Sequence, residues 1–220
     1  MTKYFYTLIV ALIIFFLGAG CTKDDPLERI SQADKLRTEK KYEQSNEILN
    51  DVLKKNPKNS SALIALGHNF EDQGKFDEAL EKYKEVLDIT PNHISATLYA
   101  GNIYRRKGDL KTAIEYVSRA VKLSPGEGWI KNLLAHLYQQ YGDLDQARQN
   151  YEAAVQLVNN DDQFLMDLAM FCEKVSDAAC AIENYKNFLL LYDEQDKIVI
   201  ARHEKQITFA KERLKSMLSK

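Results

Sequence analysis

The chain has 220 residues, 45% hydrophobic and 28% charged, with a formal net charge of −2. That balance belongs to an ordinary globular protein of one or two domains and offers no basic excess for a nucleic acid to bind. Nine glycines and four prolines are too few for a many-turned β protein or a disordered chain, so long helices are expected.

The first element in chain order is apolar. Residues 4–20 (YFYTLIVALIIFFLGAG) carry no charge and come directly after a single lysine, the layout of a signal peptide. A membrane-spanning helix needs about 20 apolar residues, so length alone leaves an uncleaved anchor open. The small residues Gly18, Ala19 and Gly20, directly before Cys21, favour the first reading. Leu17 to Cys21 resembles the bacterial lipobox, with glycine where leucine is commoner three residues before the cysteine. The resemblance implies a lipoprotein signal peptide over 1–20, cleavage before Cys21 and a diacylglyceryl group on its sulfur. Each buried CH₂ of the acyl chains would then contribute about 0.8 kcal/mol to membrane attachment. Residues 21–25 form the lipidated cysteine and a short polar tether, and Cys-Thr-Lys-Asp-Asp resembles sorting signals for the outer membrane or the outer cell surface. The expected location is therefore the bacterial cell envelope, lipid-anchored, on the periplasmic or surface-exposed face of the outer membrane.

Beyond Pro26 the sequence repeats itself. Pro57, Pro91 and Pro125 are spaced by 34, and so are Gly74, Gly108 and Gly142, and Ala79, Ala113 and Ala147. The strings GKFDEAL, GDLKTAI and GDLDQAR share the same register. Each unit holds two helical patterns. In the second, Leu63, Leu66, Gly67 and Phe70 share one face, and after Gly74 the set Ala79, Tyr83 and Val86 forms another. Glycine ends the first helix where a left-handed residue is needed, and proline ends the second. Gly67 and Ala79 are expected to be small because the helices approach closely there.

This pattern resembles the tetratricopeptide repeat, with a small residue at position 8, alanine at 20, an aromatic at 24 and proline at 32. The repeats run 26–59, 60–93, 94–127, 128–161 and 162–195. Position 8 reads Ala33, Gly67, Gly101, Ala135 and Ala169, and position 20 reads Ser45, Ala79, Ala113, Ala147 and Ala181. Lys40 stands in place of the turn glycine in the first repeat, and Asn159 and Asp193 replace the prolines that flank the fifth. The resemblance implies an all-α fold, a right-handed solenoid of helix pairs. Residues 196–220 are expected to form one last helix, with Ile200, His203, Ile207, Ala210, Leu214 and Met217 on a stripe that caps the open apolar end. Seven Lys/Arg against two Glu between Lys197 and Lys220 read as a solvated outer face, or alternatively as a contact for anionic headgroups.

In the family, positions 2, 5, 9, 12 and 13 of each first helix point into a concave groove. Carried onto this chain, they imply an apolar lining of Ile30, Ile64, Leu98, Trp129, Met166 and Met170. A polar row of Asp34, His68, Asn102 and His136 would run beside it, with Arg105 placed to clasp an acidic group or simply to be solvated. Such a wall suits an extended or helical polypeptide partner. Trp129, the single tryptophan, either packs locally or anchors a ligand. His68 and His136 lie two repeats apart, too far to share a metal ion, so no metal is expected. The carboxylate clamp of chaperone-tail-binding members has no counterpart, because Ile64, His68, Tyr99, Trp129 and Leu133 occupy its positions. With no phosphate loop, zinc-ligand pair or nucleophile elbow, no catalytic residue and no cofactor is expected.

Cys172 and Cys180 flank the turn of the fifth repeat. In an oxidising envelope they would form a disulfide, whose short loop would be worth about 2.5 kcal/mol; otherwise both are small core residues. The function expected is a lipid-anchored protein-interaction scaffold. Similar lipoproteins assist assembly of outer-membrane machines such as type IV pilus secretins. The alternatives are an envelope enzyme or carbohydrate-binding accessory, and an adaptor on an uncleaved anchor.

Overall fold

A computed structural model describes residues 25–193 and 197–219, and every regular element among them is helical. The leader, the lipobox and Cys21 lie outside the described residues. No helix among the described residues is long and apolar enough to cross a membrane. The chain divides into two compact units at Ile89 and Thr90. The first holds α1 (Pro26–Thr38), α2 (Tyr42–Lys55), α3 (Ser60–Asp72) and α4 (Phe76–Ile89). The second opens with α5 (Ile94–Arg106), α6 (Leu110–Leu123), α7 (Gly128–Tyr141) and α8 (Leu144–Leu157). It ends with α9 (Asp162–Lys174), α10 (Ala178–Leu190), α11 (Lys197–Arg202) and α12 (Glu204–Leu218).

The recurring Gly-Asp pair has two separable tasks. Gly74, Gly108 and Gly142 adopt φ of 73°, 83° and 96°, the left-handed turn that reverses the chain between paired helices. Lys40 and Ser176 take the same conformation, φ 59° and 62°, although side chains there are disfavoured. The aspartate that follows is a helix N-cap. Asp109, Asp143 and Asp177 accept from the backbone N–H of Thr112, Gln146 and Cys180 at 3.0–3.1 Å, satisfying a donor that has no intrahelical partner. Asn59 and His93 do the same for α3 and α5.

In the first unit Ala33, Leu49, Val52, Ala62 and Leu66 form the core. Gly67 is small because of an aromatic ring: a Cβ there would lie 2.4 Å from Cε1 of Tyr83. Ser45, which stands where the other repeats have alanine, donates to the Ala33 carbonyl at 2.7 Å and accepts from Asn69 at 2.8 Å. The hydroxyl is thus buried with both roles satisfied.

In the second unit the last repeat and the C-terminal helices share one core. Ile207, Ala210 and Leu214 of α12 pack with Tyr185 and Phe188 of α10. The single helix expected over 196–220 is instead two, α11 and α12. At His203 the ladder breaks, because its backbone sits at φ −106° and ψ 10° and its N–H turns to the Ile200 carbonyl three residues back. Cys172 and Cys180 are joined by a disulfide, with their Cα atoms 5.8 Å apart, across the turn that carries the strained Ser176.

Candidate partner-binding cleft

In the first unit, Ile30 and Ile64 are half-buried, and the polar positions are tied into the protein's own contacts. Arg37 binds Asp34 at 2.8 Å and Asp72 at 2.6 Å, fastening α1 to α3. His68 stands edge-on to Tyr83, ring centroids 6.0 Å apart. Burial, reinforced by the charge of Arg37, holds its imidazole below the ordinary range.

In the second unit two expected wall residues are largely buried. Leu98 and Met166 are only 9% and 7% exposed and belong to the helix–helix cores, although Met166 still borders a small hollow beside Met170 and Phe209. Arg105 donates to Asn102 on its own helix at 2.8 Å. Trp129 is 50% exposed, and its indole N–H donates to Glu127 at 2.9 Å. That bond fixes the ring and occupies the carboxylate of Glu127, which makes no cap bond at the start of α7. Met170 is 48% exposed.

His136 is the expected residue with the most defined surroundings. Its Nε2 lies 2.9 Å from Asp167 Oδ2 and its Nδ1 2.8 Å from the Tyr151 hydroxyl. Tyr151 in turn donates to Gln139 at 2.7 Å. With the phenol proton on Gln139, both ring nitrogens donate and the imidazolium pairs with Asp167. In the neutral ring Nδ1 instead accepts the phenol proton. Asn132 and Gln163 also donate to Asp167, each at 2.7 Å. Burial opposes ionisation of this carboxylate, but the bonds from His136, Asn132 and Gln163 hold it below the usual carboxylate range. Burial and the charge of Asp167 push the Tyr151 phenol upward, so it stays a neutral hydroxyl.

His136, Gln139, Tyr151 and Asp167 border a cleft of about 520 Å³ whose other walls are Met170, Phe171, Glu173, Lys174, Phe209 and Arg213. His136 and Met170 stand at position 9 of consecutive repeats, Gln139 and Glu173 at position 12, and Lys174 at position 13. The far wall comes from α12, where Arg213 donates to Glu173 at 3.1 Å. Sequence reasoning missed Gln139, Tyr151, Asp167, Phe171, Glu173, Lys174, Phe209 and Arg213. One signal was present. Tyrosine at position 24 donates to an acidic or amide residue at position 12 three times over: Tyr83 to Glu71, Tyr151 to Gln139 and Tyr185 to Glu173, at 2.7–3.0 Å. Where position 24 is Leu49 or Val117, position 12 is Arg37 or Arg105.

His136, Tyr151, Gln139 and Asp167 bond to one another, and Glu173 bonds to Arg213; what the cleft offers a partner is shape, exposed apolar wall and fixed charge. Among the described residues, Cys172, Asp177 and Cys180 are close enough together to hold a metal ion. They do not fit that use. The thiols are spent in the disulfide, and Asp177 caps α10 and pairs with Arg148 at 3.0 Å.

Residues 31–94 and 64–128 match one tetratricopeptide repeat profile, and residues 104–166 match another of the same description. No curated protein matched the sequence. Among solved structures, MamA from Desulfovibrio magneticus RS-1 is 18% identical with a TM-score of 0.67, covering 80% of this chain and 100% of its own. PilF from Pseudomonas aeruginosa is 17% identical with a TM-score of 0.66, covering 87% and 88%. YrrB, described as a TPR protein with an unusual peptide-binding site, is 16% identical with a TM-score of 0.59, covering 87% and 97%. At such identities the likeness establishes the fold.

Proposed function

The chain belongs to the tetratricopeptide repeat family, and from that premise we propose that it is a lipid-anchored scaffold of the bacterial cell envelope. It holds a partner polypeptide against the first helices of its repeats and has no catalytic task. The observation that carries this reading is the cleft between α7, α9 and α12. It pairs exposed apolar side chains, Met170 and Phe209, with a fixed row of hydrogen-bonding groups, and it uses repeat positions 9, 12 and 13. An extended or helical segment buries side chains in such a wall while its polar atoms meet the polar row. The peptide-binding site named for YrrB is a precedent on the same fold. The lipobox-like stretch ending at Cys21 favours work at the outer membrane, such as the assembly of an envelope or pilus machine.

The test is capture. A photo-crosslinking residue at Met170 should trap a discrete polypeptide in cells. Trp129→Ala and Met170→Glu, both at exposed sites, should abolish trapping from a second cleft position without loss of helicity. Unchanged trapping in both variants would sink the groove.

A further inference from the structure

The charges around the cleft are unequal in a way that specifies its occupant. Both carboxylates are already engaged: Asp167 accepts from His136, Asn132 and Gln163, and Glu173 accepts from Tyr185 and Arg213. Arg213 is held by Glu173 in return. Two lysines remain. Lys174 lines the main cleft, and Lys205 lines a second hollow of about 270 Å³ that shares Met170 and Phe209 with the first. Among the described residues neither lysine has an ion-pair partner. The surface therefore presents an exposed apolar strip shared by both hollows, Met170 and Phe209, 48% and 38% exposed, with Lys174 on the lining of one hollow and Lys205 on the lining of the other.

We propose that this double hollow binds a polypeptide segment in which a bulky apolar side chain is flanked on both sides by acidic residues. The proposal rests on the reading of the cleft as a polypeptide site and adds the chemistry of the partner. The apolar side chain covers the Met170–Phe209 strip and removes its exposed area from water. The flanking carboxylates meet Lys174 and Lys205. A basic segment is rejected because its charges would face two ammonium groups while the carboxylates that line the cleft, Asp167 and Glu173, are already engaged. Methionine in the strip adapts to either an aliphatic or an aromatic occupant, so charge carries more of the selection than side-chain shape.

Fluorescence anisotropy on the chain from Thr22 onward, all described residues included, tests this with three labelled dodecapeptides. They share a Leu-Phe centre and differ only in flanks of Asp/Glu, Asn/Gln or Lys. The acidic peptide should bind roughly tenfold tighter than the amide one, as expected for two partly exposed ion pairs, and the advantage should shrink as salt rises. Lys174→Glu with Lys205→Glu should transfer the preference to the lysine-flanked peptide. Equal binding of all three peptides would overturn the acidic preference and leave the groove standing. So would failure of all three while a partner is still crosslinked at Met170. Absence of any crosslinked partner would overturn the groove reading along with it. A preference unmoved by the double charge reversal would place the acidic site elsewhere and overturn the proposal.

Discussion

Lys40 and Ser176 occupy a backbone conformation that the other three hairpins assign to glycine. A side chain in the left-handed region costs about 1–2 kcal/mol, part of which glycine returns through its freer unfolded state. Lys40→Gly and Ser176→Gly should therefore each stabilise the protein by about 0.5–1 kcal/mol, read as a higher urea midpoint at unchanged slope. Asp167 is a half-buried carboxylate whose charged form the fold favours. Its folded-state value is depressed, so its contribution is complete above the unfolded carboxylate value of about 3.9 and is lost as pH falls through the lower folded value. Asp167→Asn should lose roughly 1–3 kcal/mol at neutral pH, because three donors lose a charged acceptor. It should also flatten the acid limb of the stability profile measured by denaturant unfolding at stepped pH. The pairing of tyrosine at position 24 with an acceptor at position 12 was written in the residues. It was not legible in advance, because hydrogen bonding across a hairpin leaves no periodicity within either helix.

The helices themselves were largely legible. Caps, left-handed turns and apolar stripes act over four residues or fewer, so Gly-Asp and Thr-Pro announce element ends directly in the chain. The exceptions are tertiary. Leu98 and Met166 sit at positions that the family pattern assigns to the groove, yet helix packing buries most of both and leaves only an edge of Met166 on the second hollow. The last segment reads as one amphipathic stripe but breaks at His203. What α12 does for the fold is measurable through Leu214, 8% exposed against the α10 core. Leu214→Ala should cost about 2–4 kcal/mol, seen as a lower thermal midpoint, and it should also loosen the Phe209–Arg213 wall and weaken peptide binding. Reducing the Cys172–Cys180 bridge, which closes a sequence separation of 8, should cost about 2.5 kcal/mol. The readout is a shifted unfolding midpoint in reductant that a Cys172→Ala, Cys180→Ala double variant no longer shows.

At the scale of the whole molecule the chain joins a candidate anchor to two compact helical units, divided at Ile89 and Thr90. The cleft described here lies entirely in the second, and the proposed attachment precedes the first. If Cys21 carries the lipid, Cys21→Ser should abolish palmitate incorporation and move the protein from the membrane to the soluble fraction, with its circular dichroism unchanged. Retention of the label would reject the anchor. By itself the sequence determined the 34-residue period, the helix pairs, their turns and their family, because each is set by contacts between near neighbours that recur along the chain. Only the tertiary structure decided where a partner would bind. The cleft brings together His136, Tyr151, Asp167 and Arg213, and its Glu173–Arg213 link spans 40 residues. Contacts across that distance depend on how helices are rotated and stacked, and no local pattern encodes that rotation.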